Sequence, residues 1–291
     1  MLTKSLLRTS QGKPRMDERL NQLAVSANIY TYNPEATRKY VDGAPHIKHA
    51  SLRALYANLV VQVYDFAKGH TAVPSVLDLG AGEGSVTLPF LDLGATVTAV
   101  DISSSQLDVL RSRCKRFGDR LRVRCEDIAD TLKAKHDNYD IIVVNSFLHH
   151  IPDYIGMIRE AITLLTPQGQ FFSFQDPLRY DSIGKPTMMF GELAYFSWRI
   201  FEGDVVGGLK RRLRRRHGIY LEDSVFDNVE YHVIRNGVDQ DAIYTLFKEL
   251  GCDCSIVRYF STQSRFFQPI GMALGIKNTF AVIARREISA R

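Results

Sequence analysis

Cysteine is scarce in this chain, with four in 291 residues, and tryptophan occurs once. Cys114, Cys125, Cys252 and Cys254 follow no standard zinc spacing, and no histidine cluster completes a ligand set, so no metal is expected. Nor do they suggest a disulfide framework. They read as structural thiols of a reduced, cytoplasmic protein. No apolar run approaches the roughly 20 residues that a membrane-spanning helix needs, which argues against a membrane span. The first fifteen residues carry Lys4, Arg8, Lys13 and Arg15 and no acid, but no apolar secretory core follows. They read as a loose basic tail in preference to a transit peptide. Internal repeats and low-complexity tracts are also missing.

What is present suits a globular protein. Hydrophobic residues make up 45% and charged residues 24%, enough for a substantial core and an ordinary surface. The net charge of +5 is unevenly placed, with one dense basic block at Lys210, Arg211, Arg212, Arg214, Arg215 and Arg216. Such a block either meets a polyanion or forms a solvated face.

Apolar spacing predicts a helix from residue 16 and another over 47–68, ended by Gly69. A linker between them holds Tyr30, Tyr32, Arg38, Tyr40, His46 and His49. From residue 75 the pattern becomes short apolar runs alternating with helical stretches. Strands are expected at 75–79, 95–100, 121–125, 140–144 and 170–174, with helices such as 104–117 and 154–165 between them. That alternation predicts a parallel sheet covered by helices on both faces. It breaks over 176–237, where Phe190, Leu193, Ala194, Ser197, Trp198 and Phe201 fall at helical spacing. A helix over 239–250 follows, with Asp239 as N-cap, and then two strands, 254–259 and 279–285, expected to pair antiparallel with no helix between them.

The first strand runs directly into a glycine-rich turn, Val76-Leu-Asp-Leu-Gly-Ala-Gly-Glu-Gly84. The dinucleotide fingerprint needs G-x-G-x-x-G, and here Ser85 stands where its third glycine would fall. Asp78, two residues before Gly80, would repel a pyrophosphate but suits a ligand bearing an ammonium and a sulfonium, as S-adenosylmethionine does. Asp101 ends the next strand, where a carboxylate matches the two hydroxyls of a ribose. Asp127 follows the third strand and suits an adenine amino group, with Ile102 and Ile128 clamping the ring. All three acids fall at the carboxyl edge of the sheet, where open α/β sheets bind ligands.

These residues resemble the class I S-adenosylmethionine-dependent methyltransferases, in particular the branch acting on small molecules of specialised metabolism. The match comprises the D-x-G-x-G-x-G loop from Asp78 to Gly84, Asp101, Asp127, the fourth-strand region Asn138-Tyr-Asp140 with Leu148-His-His-Ile-Pro-Asp153, and the turn Leu165-Thr-Pro-Gln-Gly169. Gln168 replaces a glycine common there. The resemblance implies a Rossmann-like, mainly parallel seven-stranded α/β sheet with an antiparallel last strand. It divides the chain into an N-terminal tail and helical cap over 1–70 and a cofactor-binding domain over 71–291, with 176–237 inserted as a lid after strand five. It implies S-adenosyl-L-methionine as cofactor and S-adenosyl-L-homocysteine as product. The implied cofactor contacts are Asp78, Gly80, Ala81, Gly82, Gly84, Asp101, Ile102, Asp127, Ile128 and Asn145.

His149 and His150 would face the transferred methyl group, where one of them is suited to act as a general base. Tyr32 and Arg38 in the linker, and Tyr195 and Trp198 in the aromatic stripe, are candidate contacts for substrate or for the methionine carboxylate. The Asn/Asp-Pro-Pro-aromatic signature of adenine and glutamine methylation is replaced by Asn145-Ser-Phe-Leu148, and no Pro-Cys nucleophile is present. A small-molecule acceptor is therefore expected and nucleic acid is disfavoured, on a monomer or homodimer. The competing readings are an RNA or protein methyltransferase docking through 210–216, a nicotinamide-dependent reductase, and a non-catalytic protein keeping the cofactor fold.

Overall fold

The computed structural model describes residues 44–134, 137–202, 232–233 and 235–286. Seven strands form one sheet: β1 Ser75–Leu79, β2 Thr96–Asp101, β3 Leu121–Cys125, β4 Tyr139–Asn145, β5 Leu165–Pro177, β6 Cys252–Tyr259 and β7 Thr279–Arg286. Their order is β3-β2-β1-β4-β5-β7-β6. The pairs from β3 through β5 are parallel, and β7 runs antiparallel to both of its neighbours. The mainly parallel α/β sheet with a reversed last strand is thus as the sequence predicts.

Burial on both faces explains the β-branched and aromatic strands. In β4, Ile141 and Val143 join one core while Ile142 and Val144 join the other. In β5, Phe172 and Phe174 face the first and Phe171 the second. The first core is closed by α2 (Ala50–Lys68), α3 (Thr87–Leu93) and α4 (Ser104–Cys114) through Leu52, Val63, Phe90 and Leu107. The second is closed by α5 (Ile128–Ala134), α6 (Tyr154–Ile162) and α8 (Gln240–Glu249) through Leu132, Ile158 and Phe247. Phe171, Phe172, Phe174 and Phe247 are fully buried. Truncating any one of them to alanine costs about 3–5 kcal/mol.

Three expectations need correction. The helix over 47–68 is two helices, α1 Pro45–Lys48 and α2, because His49 is extended (φ −98°, ψ 125°). A hydrogen bond of 2.7 Å from His49 Nε2 to the Thr262 carbonyl holds it there. Second, β5 begins at Leu165, so Thr166 to Gly169 lie inside the strand as an irregularity in its pairing with β4. Third, a short helix, α9 Phe267–Ala273, separates β6 from β7.

The excursion after β5 leaves and returns through one neck. Leu178 and Val238 form a bridge, the Val238 amide donates to the Pro177 carbonyl at 3.0 Å, and Tyr180 N donates to Asn236 O at 2.9 Å. Gly237 (φ +73°) is needed there, since a Cβ would lie 2.2 Å from the Leu178 carbonyl oxygen. Within the excursion α7 (Lys185–Glu202) carries the aromatic stripe. Among the described residues no helix is long and apolar enough to cross a membrane.

Candidate active site

A cavity of about 390 Å³ opens along the carboxyl edge of the sheet. Gly80, Ala81, Gly82, Asp101, Ile102, Asp127, Ile128, Asn145 and His150 all contribute to its wall. The glycine turn is tied to β2: the amides of Gly80 and Ala81 donate to the Val100 carbonyl at 2.9 and 3.0 Å. Gly80 has φ +76°, and a Cβ there would come within 2.6 Å of Phe147 Cδ2. The aromatic ring therefore closes over the loop only because the residue is glycine.

Asp101 anchors the turn from the neighbouring strand. Its Oδ2 accepts from Gly82 N at 2.9 Å and its Oδ1 from Ser103 N at 2.8 Å. Burial raises its pKa, and these backbone donors oppose the rise. Each carboxylate oxygen keeps further acceptor capacity toward the cavity. One strand further out, Asp127 Oδ1 accepts from Ala129 N at 2.8 Å and caps α5, which presents Ile128 to the cavity.

Two predicted cofactor contacts are not in the wall. Asp78 is fully buried on the same side of β1 as Val76, because alternate residues of a strand face opposite sides. Thr87 Oγ1 of α3 donates to its Oδ2 at 2.6 Å, while Oδ1 is buried without a partner. Desolvation pushes this carboxyl up to about 7. Gly84 (φ +91°) packs against Leu110 of α4 instead of the cavity, so both residues support the loop from behind.

At the end of β4, Asn145 lines the cavity and its Oδ1 is buried with no hydrogen-bond partner. The next residue, Ser146, has φ +51°, a costly conformation for a non-glycine residue. Its amide donates to the Phe174 carbonyl at 2.7 Å, which turns the chain and presents Phe147 and the two histidines. Their rings lie 4.1 Å apart but serve different places. His150 lines the cavity. His149 turns to Asp176 at the end of β5, with Nδ1 2.8 Å from Oδ1, and its own amide donates to the same oxygen at 3.1 Å. Although the pair is close, burial pushes His149 down to about 3 and Asp176 up to about 7. Burial disfavours the charged form of both partners, so the contact is a hydrogen bond in preference to an ion pair.

A methyltransferase-domain profile matches residues 76–169, the segment from β1 into β5. A ubiquinone biosynthesis O-methyltransferase of Coxiella burnetii is 34% identical over 97 residues, 33% of this chain and 41% of that protein. The chain thus spans well under half the length of that relative. A demethylmenaquinone methyltransferase of Tropheryma whipplei is 30% identical over 166 residues, 50% of this chain and 68% of that protein. The chain belongs to the class I S-adenosylmethionine-dependent methyltransferase family. The fold agrees as well. An O-methyltransferase family protein of Burkholderia thailandensis superposes with a TM-score of 0.57 at 14% identity, covering 96% of this chain and 68% of that one. A plantazolicin methyltransferase in complex with SAH gives 0.53 at 13% identity, covering 94% and 98%.

Within this family frame, Tyr195 and Trp198 lie outside the cavity wall. Their rings are 5.9 Å apart on α7, whose inner face packs through Phe190 on Phe260 and Phe267. Tyr32, Arg38 and the basic block 210–216 lie outside the described residues. Sequence reasoning missed Phe147, Ser103 and Gln106 in the wall and Asp176 behind it. Ser103 was open to discovery, since a serine before a helical run is an N-cap signal, and its Oγ accepts from Gln106 N at 3.4 Å. Asp176 carried no local signal, because its partner lies 27 residues away.

Proposed function

We propose that this protein transfers the methyl group of S-adenosylmethionine to a small-molecule acceptor. The observation that carries the reading is Asp101, set in the cavity wall beside a glycine turn that it hydrogen-bonds itself. In this reading Asp101 accepts the ribose hydroxyls and Asp127 the adenine amino group, with Ile102 and Ile128 flanking the ring. Asn145 accepts from the cofactor's ammonium, which suits its unpaired buried oxygen. The bound cofactor supplies a methyl group activated on a sulfonium.

The chain's own work is alignment and exclusion of water, since positive charge disperses in an in-line displacement. His150 takes the acceptor's proton, and His149 with Asp176 holds the loop that presents it. By their names the relatives act in ubiquinone biosynthesis and on demethylmenaquinone. Phe147, over the glycine turn, suits a planar acceptor of that kind. The free cysteines fit a cytoplasmic setting.

Calorimetric titration with S-adenosylhomocysteine tests the assignment. Asp101→Ala should weaken binding by at least about tenfold, as loss of a charge-assisted hydrogen-bonding partner requires. Unchanged affinity would remove the basis of the reading.

A further inference from the structure

Adenine and ribose, as read above, occupy the β3 and β2 end of the cavity, and the order β3-β2-β1-β4-β5 carries the remaining length over β1, β4 and β5. His46, from α1, lines the same cavity at that far end. Its ring meets Phe174 of β5 edge-on, with centroids 6.3 Å apart. Only 7% of the residue is exposed, and its Nδ1 is buried with no hydrogen-bond partner. An imidazole nitrogen in that state costs free energy until something pairs with it.

The short helix that carries it is held firmly. His49 donates to the Thr262 carbonyl at 2.7 Å, and Arg53 Nη1 donates to the Ile47 carbonyl at 2.6 Å. Among the described residues the single lysine or arginine in the wall is Lys133, on α5 at the adenine end. Among the described residues, the far end thus offers an acceptor, Asn145 Oδ1, and an imidazole, but no lysine or arginine.

We infer that His46 binds the carboxylate of the cofactor's amino-acid end, donating Nδ1–H to it while Asn145 takes the ammonium. The inference rests on the cofactor reading given above. Burial pushes His46 down to about 4, so without ligand it is neutral and can donate from one nitrogen without bringing a charge into a dry site. A carboxylate set beside it favours the protonated ring and strengthens the bond.

The test is calorimetry on the whole chain with two probes, S-adenosylhomocysteine and S-adenosyl-3-thiopropylamine, which lacks only the carboxylate. His46→Phe should weaken S-adenosylhomocysteine by at least about tenfold and leave the decarboxylated probe within about twofold. His46→Asn, whose side-chain amide can donate from about the place of Nδ1, should recover most of the loss. Equal losses for both probes would make His46 a packing residue, and no loss for either would turn it away from the cofactor; each result overturns the inference. Wild-type protein that binds neither probe would instead sink the cofactor reading itself, and the inference with it.

Discussion

Asp78 is a carboxyl with a single hydroxyl donor, no solvent and one unpaired oxygen, at a place where apolar residues surround it on both sides in sequence. Its folded pKa of about 7 lies above the usual carboxylate value, so the folded chain keeps a proton that the unfolded chain has lost. Stability from this group is fully present below about pH 4 and is lost as pH rises toward 7. His46 and His149 act in the opposite sense. Their folded pKa values, about 4 and about 3, lie below that of a free imidazole, so their contribution is lost as pH falls below the unfolded value. The two effects overlap in acid, and only a difference measurement separates them. Denaturant unfolding of wild type and Asp78→Asn across this range should show the variant gaining on wild type by up to about 1.4 kcal/mol per pH unit between pH 4 and 7. Above pH 7 the gap should level off. A gap independent of pH would mean that Asp78 is ionised in the fold throughout.

At the level of elements, caps carry much of the geometry that the sequence makes legible. Asp239 accepts from the amides of Asp241 and Ala242 at 3.1 and 3.0 Å and also pairs with Arg179 beyond the neck of the excursion. Asp239→Ala should therefore lower unfolding free energy by about 1–2 kcal/mol, seen as a lower denaturant midpoint with an unchanged slope. A neutral result would mean that α8 is held by Ile243, Leu246 and Phe247 alone. Asp239 was readable because capping is local. The same holds for β1 and β4, whose apolar runs are short and β-branched. What the sequence concealed depends on distant partners. The break at His49 follows from a carbonyl 213 residues away, and the early start of β5 follows from pairing with β4 that overrides Pro167 and Gly169. Asp78 was located correctly beside the loop, but strand alternation, which places it behind the loop, was outweighed by the attraction of a carboxylate for a cationic ligand.

Across the whole molecule, the cavity is bounded by pieces from several separate elements. The wall takes Gly80 to Gly82 from the turn after β1, Asp101 from β2, Ile128 from α5, Met157 from α6 and His46 from α1. A ligand lying along it would bridge helices from both faces of the sheet, so binding and global stability should be coupled. A ligand present at about 100 times its dissociation constant adds about 2.7 kcal/mol to the folded state. In a chain of this size each kcal/mol is worth about 2–4 °C of melting temperature. S-adenosylhomocysteine at that excess should accordingly raise the melting temperature by roughly 5–10 °C. NAD at the same concentration should shift it by less than about 1 °C, because the turn lacks the third glycine of the dinucleotide fingerprint. Equal stabilisation by NAD would return the glycine turn to the dinucleotide class.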